Sequence, residues 1–199
     1  MGQAGGFLGA QLAAGLAVLV SLPNTAECVK VGMAAMPLVV LYPTAKRWTG
    51  HPQLVLGLTF NWGCFVGWTA ATGVIDPLPC LPMYAAGVGW TLLYDTLYAH
   101  QDKVDDREVG VKSTALTWGD TKAPLYASAS AFGLGMVAQG VVCDVASPYY
   151  GFLALATSHL LWQVRTADLD DPENLGERFK SNQTVGALVT AGCLAGVFF

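Results

Sequence analysis

The chain has 199 residues, 53% of them hydrophobic and 12% charged, and a formal net charge of −4. Soluble domains carry about 25% charged residues, so half that share with a mean hydropathy of +0.45 indicates a membrane protein. The small negative charge argues against a nucleic-acid partner, and five cysteines without a CxxC pair argue against a zinc site or a disulfide framework.

Seven apolar segments follow one another along the chain, and each is a candidate membrane helix, which needs about 20 mostly apolar residues. They are predicted at 5–22, 29–42, 53–74, 81–98, 124–142, 149–164 and 185–199. The second and the last are short. No basic or Arg-rich stretch precedes the first segment, so the sequence shows no transit peptide. One domain, residues 1–199, is the simplest organisation.

The connections between these segments alternate in character. Those at 23–27, 75–80 and 143–147 are short and nearly uncharged, whereas those at 44–51, 99–122 and 165–184 are polar and longer. Alternating helices place all three polar loops on one side of the membrane, and Lys30 alone among the basic residues falls on the other. The nine basic residues of the polar side are Lys46, Arg47, Lys103, Arg107, Lys112, Lys122, Arg165, Arg178 and Lys180. This asymmetry is typical of membrane proteins, and it predicts that one face holds the chemistry.

The longest polar loop begins with closely spaced carboxylates. Asp102 and Asp106 are four residues apart, and Asp95 lies seven residues before Asp102. If the fourth apolar helix extends that far, these side chains share one face and two of them can share a cation. Carboxylates at membrane depth are costly and indicate function, and hard oxygen ligands suit Mg²⁺.

Basic side chains are interleaved with these acids, at Lys103, Arg107 and Lys112. A Mg²⁺–diphosphate needs both kinds of group, acids for the metal and bases for the phosphate oxygens. The alternative is a solvated loop with a run of charges. A solvated run need not adjoin the end of a membrane helix, so the functional interpretation is favoured.

Two motifs resemble those of the UbiA prenyltransferase family. The segment YDTLYAHQDKVDDREVGVKSTA, from Tyr94 to Ala115, resembles the family's second Asp-rich motif. Its Tyr-Asp start and Lys-Ser-Thr-Ala end resemble the branch that acts on 4-hydroxybenzoate. The segment YPTAKRWTGHPQLVLG, from Tyr42 to Gly57, is a second match. The pair Asp76-Pro77 resembles the mitochondrial version, and the resemblance covers essentially the whole chain.

The resemblance implies an all-α, polytopic membrane enzyme, with the seven segments forming about seven transmembrane helices of a nine-helix bundle around a central cavity. It implies transfer of a polyprenyl group from polyprenyl diphosphate to the ring carbon ortho to the hydroxyl of 4-hydroxybenzoate, in ubiquinone biosynthesis, with Mg²⁺ as cofactor. The same resemblance places the chain in the bilayer of the mitochondrial inner membrane, with other proteins of ubiquinone biosynthesis as partners.

Site roles follow by motif. Asp102 and Asp106 would bind Mg²⁺ on the diphosphate, with Asp95 and Asp105 as supporting carboxylates. The basic side chains expected to hold phosphate oxygens are Arg47, Lys46, Lys103 and Lys112. The side chains expected to steady the carbocation-like prenyl end or to orient the phenol are Asn61, Tyr98 and Trp62. Trp62 could equally be a packing residue.

The sequence departs from the family in one respect. The first Asp-rich motif, Asn-Asp-x-x-Asp-x-x-x-Asp, does not occur, and no carboxylate precedes Glu27. Seven helices and the missing motif together predict an N-terminally truncated chain that starts at the family's third helix. Because that motif would supply half of the metal and diphosphate site, we expect little or no transfer by the isolated chain.

Three other interpretations stay open on the sequence. The chain could be a non-catalytic, truncated membrane isoform that binds prenyl diphosphate or a partner. It could be a UbiA-type enzyme with a different aromatic acceptor, such as homogentisate, a naphthoate or haem. It could also be a small transporter or channel with an acidic filter, although basic residues among the acids argue against a cation filter.

Overall fold

The computed structural model describes residues 2–198, and the side chains of residues 5–198. These residues form α-helices and one 3₁₀ turn, Tyr42–Thr44, and the described part of the chain contains no strand. The helices are α1 Gly2–Ser21, α2 Thr25–Ala34, α3 Met36–Leu41, α4 Ala45–Trp48, α5 Pro52–Phe60, α6 Gly63–Thr72, α7 Leu81–Ala99, α8 Lys103–Val109, α9 Thr114–Trp118, α10 Ala123–Val142, α11 Pro148–Thr166, α12 Pro172–Lys180 and α13 Asn182–Phe198.

Seven helical segments occupy the positions of the seven predicted apolar stretches: α1, α2–α4, α5–α6, α7, α10, α11 and α13. Three of them are long and apolar enough to cross a membrane, namely Thr25–Trp48, Pro52–Thr72 and Ala123–Val142. The prediction of an all-α membrane protein is confirmed. Proline stands in the first turn of α5, α7, α10, α11 and α12, where its missing N–H leaves no helical bond unmade.

Helix α7 is the centre of the bundle, packed between α5 on one side and α10 on the other, with α11 and α13 beyond α10. Leu93, Leu97, Leu125, Phe132 and Leu160 are fully buried in this core. Large apolar side chains also cover the outer surface of the bundle. Exposed apolar surface on this scale is unfavourable in water but suits contact with lipid chains, which are as apolar as leucine.

Close contact between α7 and α10 depends on glycine. A Cβ added at Gly135 would lie 2.7 Å from the backbone oxygen of Pro82, and one at Gly89 would lie 2.9 Å from the backbone oxygen of Ser128. Real Cβ atoms do not approach a backbone oxygen that closely. The two glycines therefore set how near the two helices lie, as small residues do between membrane helices.

The three polar loops meet at one end of the bundle. Thr117 Oγ1 donates to the carbonyl of Gly50 at 2.8 Å, which joins the first polar loop to the second. Lys122 Nζ donates to the carbonyl of Ala167 at 2.6 Å, which joins the second to the third. The predicted common face is confirmed, and we call it the charged end.

The short loops meet at the opposite end. Asn24 Nδ2 donates to the carbonyl of Ala70 at 3.0 Å, and the backbone N–H of Ala146 donates to the carbonyl of Gly196 at 3.1 Å. Each helical segment therefore runs from one end of the bundle to the other, as alternation requires.

One sequence expectation is wrong. Helix α7 ends at Ala99 and α8 begins only at Lys103, so Asp95 and Asp102 do not lie on one continuous helix. The new helix places Asp105 and Asp106 in its first turn. Negative charge is stabilised there by the positive end of the helix dipole, whereas the interior of a longer α7 would offer no such stabilisation.

We expect Gly135→Ala to destabilise the bundle by about 1–3 kcal/mol, because the new methyl group must push α7 and α10 apart. The matched control is Gly151→Ala on α11, where an added Cβ meets nothing within 4 Å and alanine favours the helix. Thermal unfolding in detergent measures both. Equal melting temperatures for the two variants would contradict the glycine contact.

Candidate functional site

Asp106 is the most buried carboxylate of the charged end, with 7% of its surface exposed. Lys46 Nζ lies 3.3 Å from Asp106 Oδ1. The other oxygen, Oδ2, is buried and has no hydrogen-bond partner among the residues that the structure describes. A buried charge needs compensation. Lys46 compensates Oδ1, whereas Oδ2 could still bind a cation or a hydrogen-bond donor.

The backbone brings these two side chains together across 60 residues of sequence. Gly110 adopts φ 76° at the end of α8, a left-handed conformation that glycine adopts without steric cost. The chain thereby turns back, and the N–H of Lys112 donates to the carbonyl of Lys46 at 2.8 Å. The acidic helix α8 is thus fixed to the loop that carries Lys46 and Arg47.

The remaining acids of the segment are arranged around Asp106. The N–H of Asp106 donates to the carbonyl of Asp102 at 2.8 Å, so the two residues stand one turn apart, as predicted. Asp102 is half-buried and Asp105 is exposed. In residues 2–198, no group of three or more His, Cys, Asp or Glu side chains converges as a metal site.

Asp95 faces a small cavity of about 120 Å³ at the charged end of α7. Its lining residues are Tyr42, Pro43, Lys46, Pro52, Gln53 and Asp95. Lys46 therefore borders the cavity of Asp95 and also contacts Asp106. The structure brings Asp95, Lys46 and Asp106 together through this one cation.

The other predicted phosphate ligands differ in their surroundings. Arg47 and Lys112 are exposed at the charged end, where their charges are available to an anion. Lys103 instead pairs with Asp120, with Nζ 2.5 Å from Oδ1. That pair ties the start of α8 to the loop that precedes α10.

Asn61 lines a larger cavity of about 520 Å³ between α5, α6, α7 and α10. The walls are mainly apolar and include Trp68, Trp90, Phe132 and Met136. Trp90 stands five residues before Asp95 on α7, about 7.5 Å along the helix axis at 1.5 Å per residue. The wide apolar cavity therefore approaches the acidic and basic groups of the charged end.

Trp62 and Tyr98 lie apart from this cavity. Trp62 Nε1 donates to the carbonyl of Val31 at 2.9 Å, and its ring packs on Phe65 and Tyr84. Tyr98 is 43% exposed and its ring lies 5.0 Å from that of Phe179 on α12. Of the three side chains expected near the prenyl end, Asn61 is the one that faces the large cavity.

Sequence reasoning assigned no role to Gln53, although it lies in the quoted Tyr42–Gly57 motif. It is buried, with 3% of its surface exposed, and its Oε1 accepts from the N–H of Thr114 at 3.0 Å. Thr114 Oγ1 in turn lies 2.6 Å from Thr96 Oγ1 on α7. These bonds clamp α9, at the end of the Asp-rich segment, to α5 and α7. The sequence indicated this role only by the position of Gln53 within the Tyr42–Gly57 motif, in the first turn of an apolar helix.

A family model described as the UbiA prenyltransferase family matches residues 1–189. The chain belongs to this family. No solved structure matches it.

Curated relatives include three proteins named 4-hydroxybenzoate polyprenyltransferase, mitochondrial. That of Caenorhabditis elegans is 49% identical over 97% of this chain and 54% of its own length. That of Aedes aegypti is 45% identical over 97% of this chain and 44% of its own length. The human protein is 44% identical over 96% of this chain and 51% of its own length. The chain spans about half the length of the curated relatives it matches.

The Lys103–Asp120 pair gives a testable electrostatic prediction at His100, which follows α7. Burial lowers the pKa of His100, and the Lys103 ammonium lowers it further, against the opposing effects of Asp120 and Asp170. The hydrogen bond from Lys103 also holds the pKa of the Asp120 carboxyl below its usual range. We expect Lys103→Met to raise both pKa values, because a positive neighbour disfavours protonation of either group.

An NMR titration of isotope-labelled His and Asp side chains measures both shifts. Lys30→Met is the matched control, since Lys30 pairs with Glu27 in α2 and should leave both groups unchanged. A His100 pKa that stays constant in Lys103→Met would contradict the electrostatic effect of Lys103 on His100.

Proposed function

We propose that this member of the UbiA prenyltransferase family transfers a polyprenyl group from polyprenyl diphosphate to the ring carbon ortho to the hydroxyl of 4-hydroxybenzoate, a step of ubiquinone biosynthesis. The observation that carries the proposal is the half-compensated carboxylate of Asp106 at the charged end, close to a wide apolar cavity. Such an arrangement suits a substrate with an anionic head and a long apolar tail. The relatives named 4-hydroxybenzoate polyprenyltransferase suggest the substrate.

The donor set fits Mg²⁺. Asp106 offers a buried oxygen without a protein partner, and Asp102 lies one turn away. Mg²⁺ commonly takes one or two protein carboxylates and completes its octahedron with water and substrate phosphate, so a site without a third protein ligand is suitable. When bound, the metal would neutralise charge on the diphosphate and so favour its departure.

The basic side chains of the charged end would bind the diphosphate. Arg47 and Lys112 are exposed, and Lys46 sits between Asp95 and Asp106. Their charges would stabilise the diphosphate as the allylic C–O bond breaks and negative charge grows on the leaving oxygen. Lys103 would join them only by leaving Asp120.

The apolar cavity would hold the prenyl tail. Its size and apolar walls match an isoprenoid chain, whose burial there is favoured because no polar group must be desolvated. Asn61 is fixed by bonds from Nδ2 to the Gly57 carbonyl at 2.8 Å and to Thr91 Oγ1 at 3.0 Å. Its Oδ1 would therefore present a fixed partial negative charge near the cationic end of the prenyl group.

The remaining chemistry belongs to the ring. The carbon ortho to the hydroxyl attacks the prenyl cation, a C–C bond forms, and the same ring carbon then loses its proton, which restores aromaticity. The cavity walls exclude water that would otherwise capture the cation. Asp95 would act as a supporting carboxylate, while Asp105, Tyr98 and Trp62 keep their proposed supporting roles on resemblance alone.

The proposed location is the mitochondrial inner membrane, with the chain passing through the bilayer several times. The relatives are named as mitochondrial proteins, and three helices among the described residues are long and apolar enough to cross a membrane. A water-insoluble donor and product also require a site open to the bilayer.

We expect Asp106→Asn to lower transfer by about 100-fold, because it removes the buried charge that faces the metal and diphosphate. The matched control is Glu108→Gln, an exposed acid in the same short helix, which should keep nearly full activity. Transfer of radiolabel from polyprenyl diphosphate to 4-hydroxybenzoate is measured in membranes that lack the host enzyme, with Mg²⁺ present.

The assay uses the 199-residue chain alone and the chain joined to the segment of the nematode relative that it does not match. Transfer by neither protein would overturn the proposed function. Equal loss in Asp106→Asn and Glu108→Gln would overturn the assigned role of Asp106.

A further inference from the structure

Gln53 holds a fixed orientation at the charged end. It is the second residue of α5, and its side chain is almost completely buried. Oε1 accepts from the N–H of Thr114 at 3.0 Å. Because a backbone N–H can only donate, the carbonyl branch of the amide must face Thr114 and the NH₂ branch must point away from it.

The NH₂ branch is free to serve a ligand. Gln53 lines the 120 Å³ cavity beside Asp95, and among residues 2–198 no protein acceptor takes a hydrogen bond from its Nε2. The Asp95 carboxylate lines the same cavity and likewise makes no hydrogen bond to the described residues. One small cavity therefore holds a donor and an acceptor that a single ligand can engage together.

A hydroxyl group satisfies both side chains at once. Its oxygen accepts from an N–H and its hydrogen is donated to a carboxylate. The rest of the cavity wall suits an aromatic ring, since Tyr42, Pro43 and Pro52 contribute rings of their own. A cavity of about 150 Å³ holds benzene, so a cavity of about 120 Å³ takes most of one ring.

A diphosphate fits this cavity less well. At neutral pH its oxygens carry negative charge and have little hydrogen to donate, so Asp95 would repel them. The single cation of the lining, Lys46, already contacts Asp106. A neutral group that donates to Asp95 is the better occupant.

We propose that Gln53 is a binding and specificity residue for the phenolic acceptor, its Nε2 donating to the phenol oxygen while the phenol hydrogen is donated to Asp95. This inference rests on the proposed function and adds to it the position of the acceptor hydroxyl. The same side chain accepts a hydrogen bond from Thr114 through Oε1. One amide group would therefore bind the acceptor and also hold the end of the Asp-rich segment in place.

The test separates these two uses of the amide. Gln53→Glu keeps an oxygen for the Thr114 N–H but replaces the donor with a second oxygen. Thr96→Val loosens the same clamp without touching the amide, because it removes the hydroxyl that meets Thr114 Oγ1 and leaves the Thr114 N–H bonded to Gln53 Oε1. The readout is the affinity of the purified 199-residue chain in lipid nanodiscs for 4-hydroxybenzoate, for benzoate and for polyprenyl diphosphate.

Benzoate shares the carboxylate of 4-hydroxybenzoate and lacks its hydroxyl, so the ratio of the two affinities isolates the hydroxyl contact. We expect the native chain to prefer 4-hydroxybenzoate, Gln53→Glu to reduce that preference about tenfold, and Thr96→Val to keep it even if the variant melts earlier. The affinity for polyprenyl diphosphate should be unchanged in Gln53→Glu.

Each contrary outcome is decisive. A preference that survives in Gln53→Glu, or one that falls equally in Thr96→Val, overturns the inference. Loss of polyprenyl diphosphate affinity in Gln53→Glu with an unchanged acceptor ratio assigns the amide to the donor instead, and leaves the proposed function standing. If the chain binds no polyprenyl diphosphate either alone or joined to the segment of the nematode relative that it does not match, the proposed function is overturned. A native chain that does not prefer 4-hydroxybenzoate overturns this inference.

Discussion

The contact between Lys46 and Asp106 joins two oppositely charged parts of this chain, the basic loop and the acidic helix α8. Burying the Asp106 carboxylate without a cation would be unfavourable. If both of its oxygens were paired with protein groups, neither could bind a ligand. Lys46 satisfies one oxygen and leaves the other free. The left-handed turn at Gly110 and the backbone hydrogen bond from Lys112 to Lys46 bring these two distant parts of the sequence together.

Helix α7 connects the charged end to the apolar interior. Its first part borders the large cavity at Trp90, and its last part carries Asp95 beside the small cavity. A substrate with an anionic head and an isoprenoid tail would therefore lie along this helix, with each part in surroundings of matching polarity. Glycines at the contact with α10 allow the two helices to lie close together.

Much of the fold could be predicted because lipid and water impose simple rules. Apolar segments of sufficient length give helices, and the distribution of Lys and Arg gives the common face. The site was predicted less completely. The spacing of Asp102 and Asp106 was informative because both lie at the start of one short helix. The continuation of α7 through them was wrong, since spacing alone does not reveal a break after Ala99. Trp62, named for its aromatic ring, packs elsewhere because its N–H is used by Val31.

The sequence by itself determined the membrane class, the seven helical segments, the charged end and the identity of the acids, since these depend on composition and local periodicity. Only the tertiary structure decided which polar and charged groups are paired with other protein groups. It paired Lys103 with Asp120, left Asp106 Oδ2 buried without a partner among the described residues, placed Gln53 beside the small cavity, and separated Asn61 from Trp62 although they are neighbours in sequence. The physical reason is that hydrogen bonds and ion pairs at this site join residues 60 and 61 positions apart, and no local pattern records which partner each group will meet.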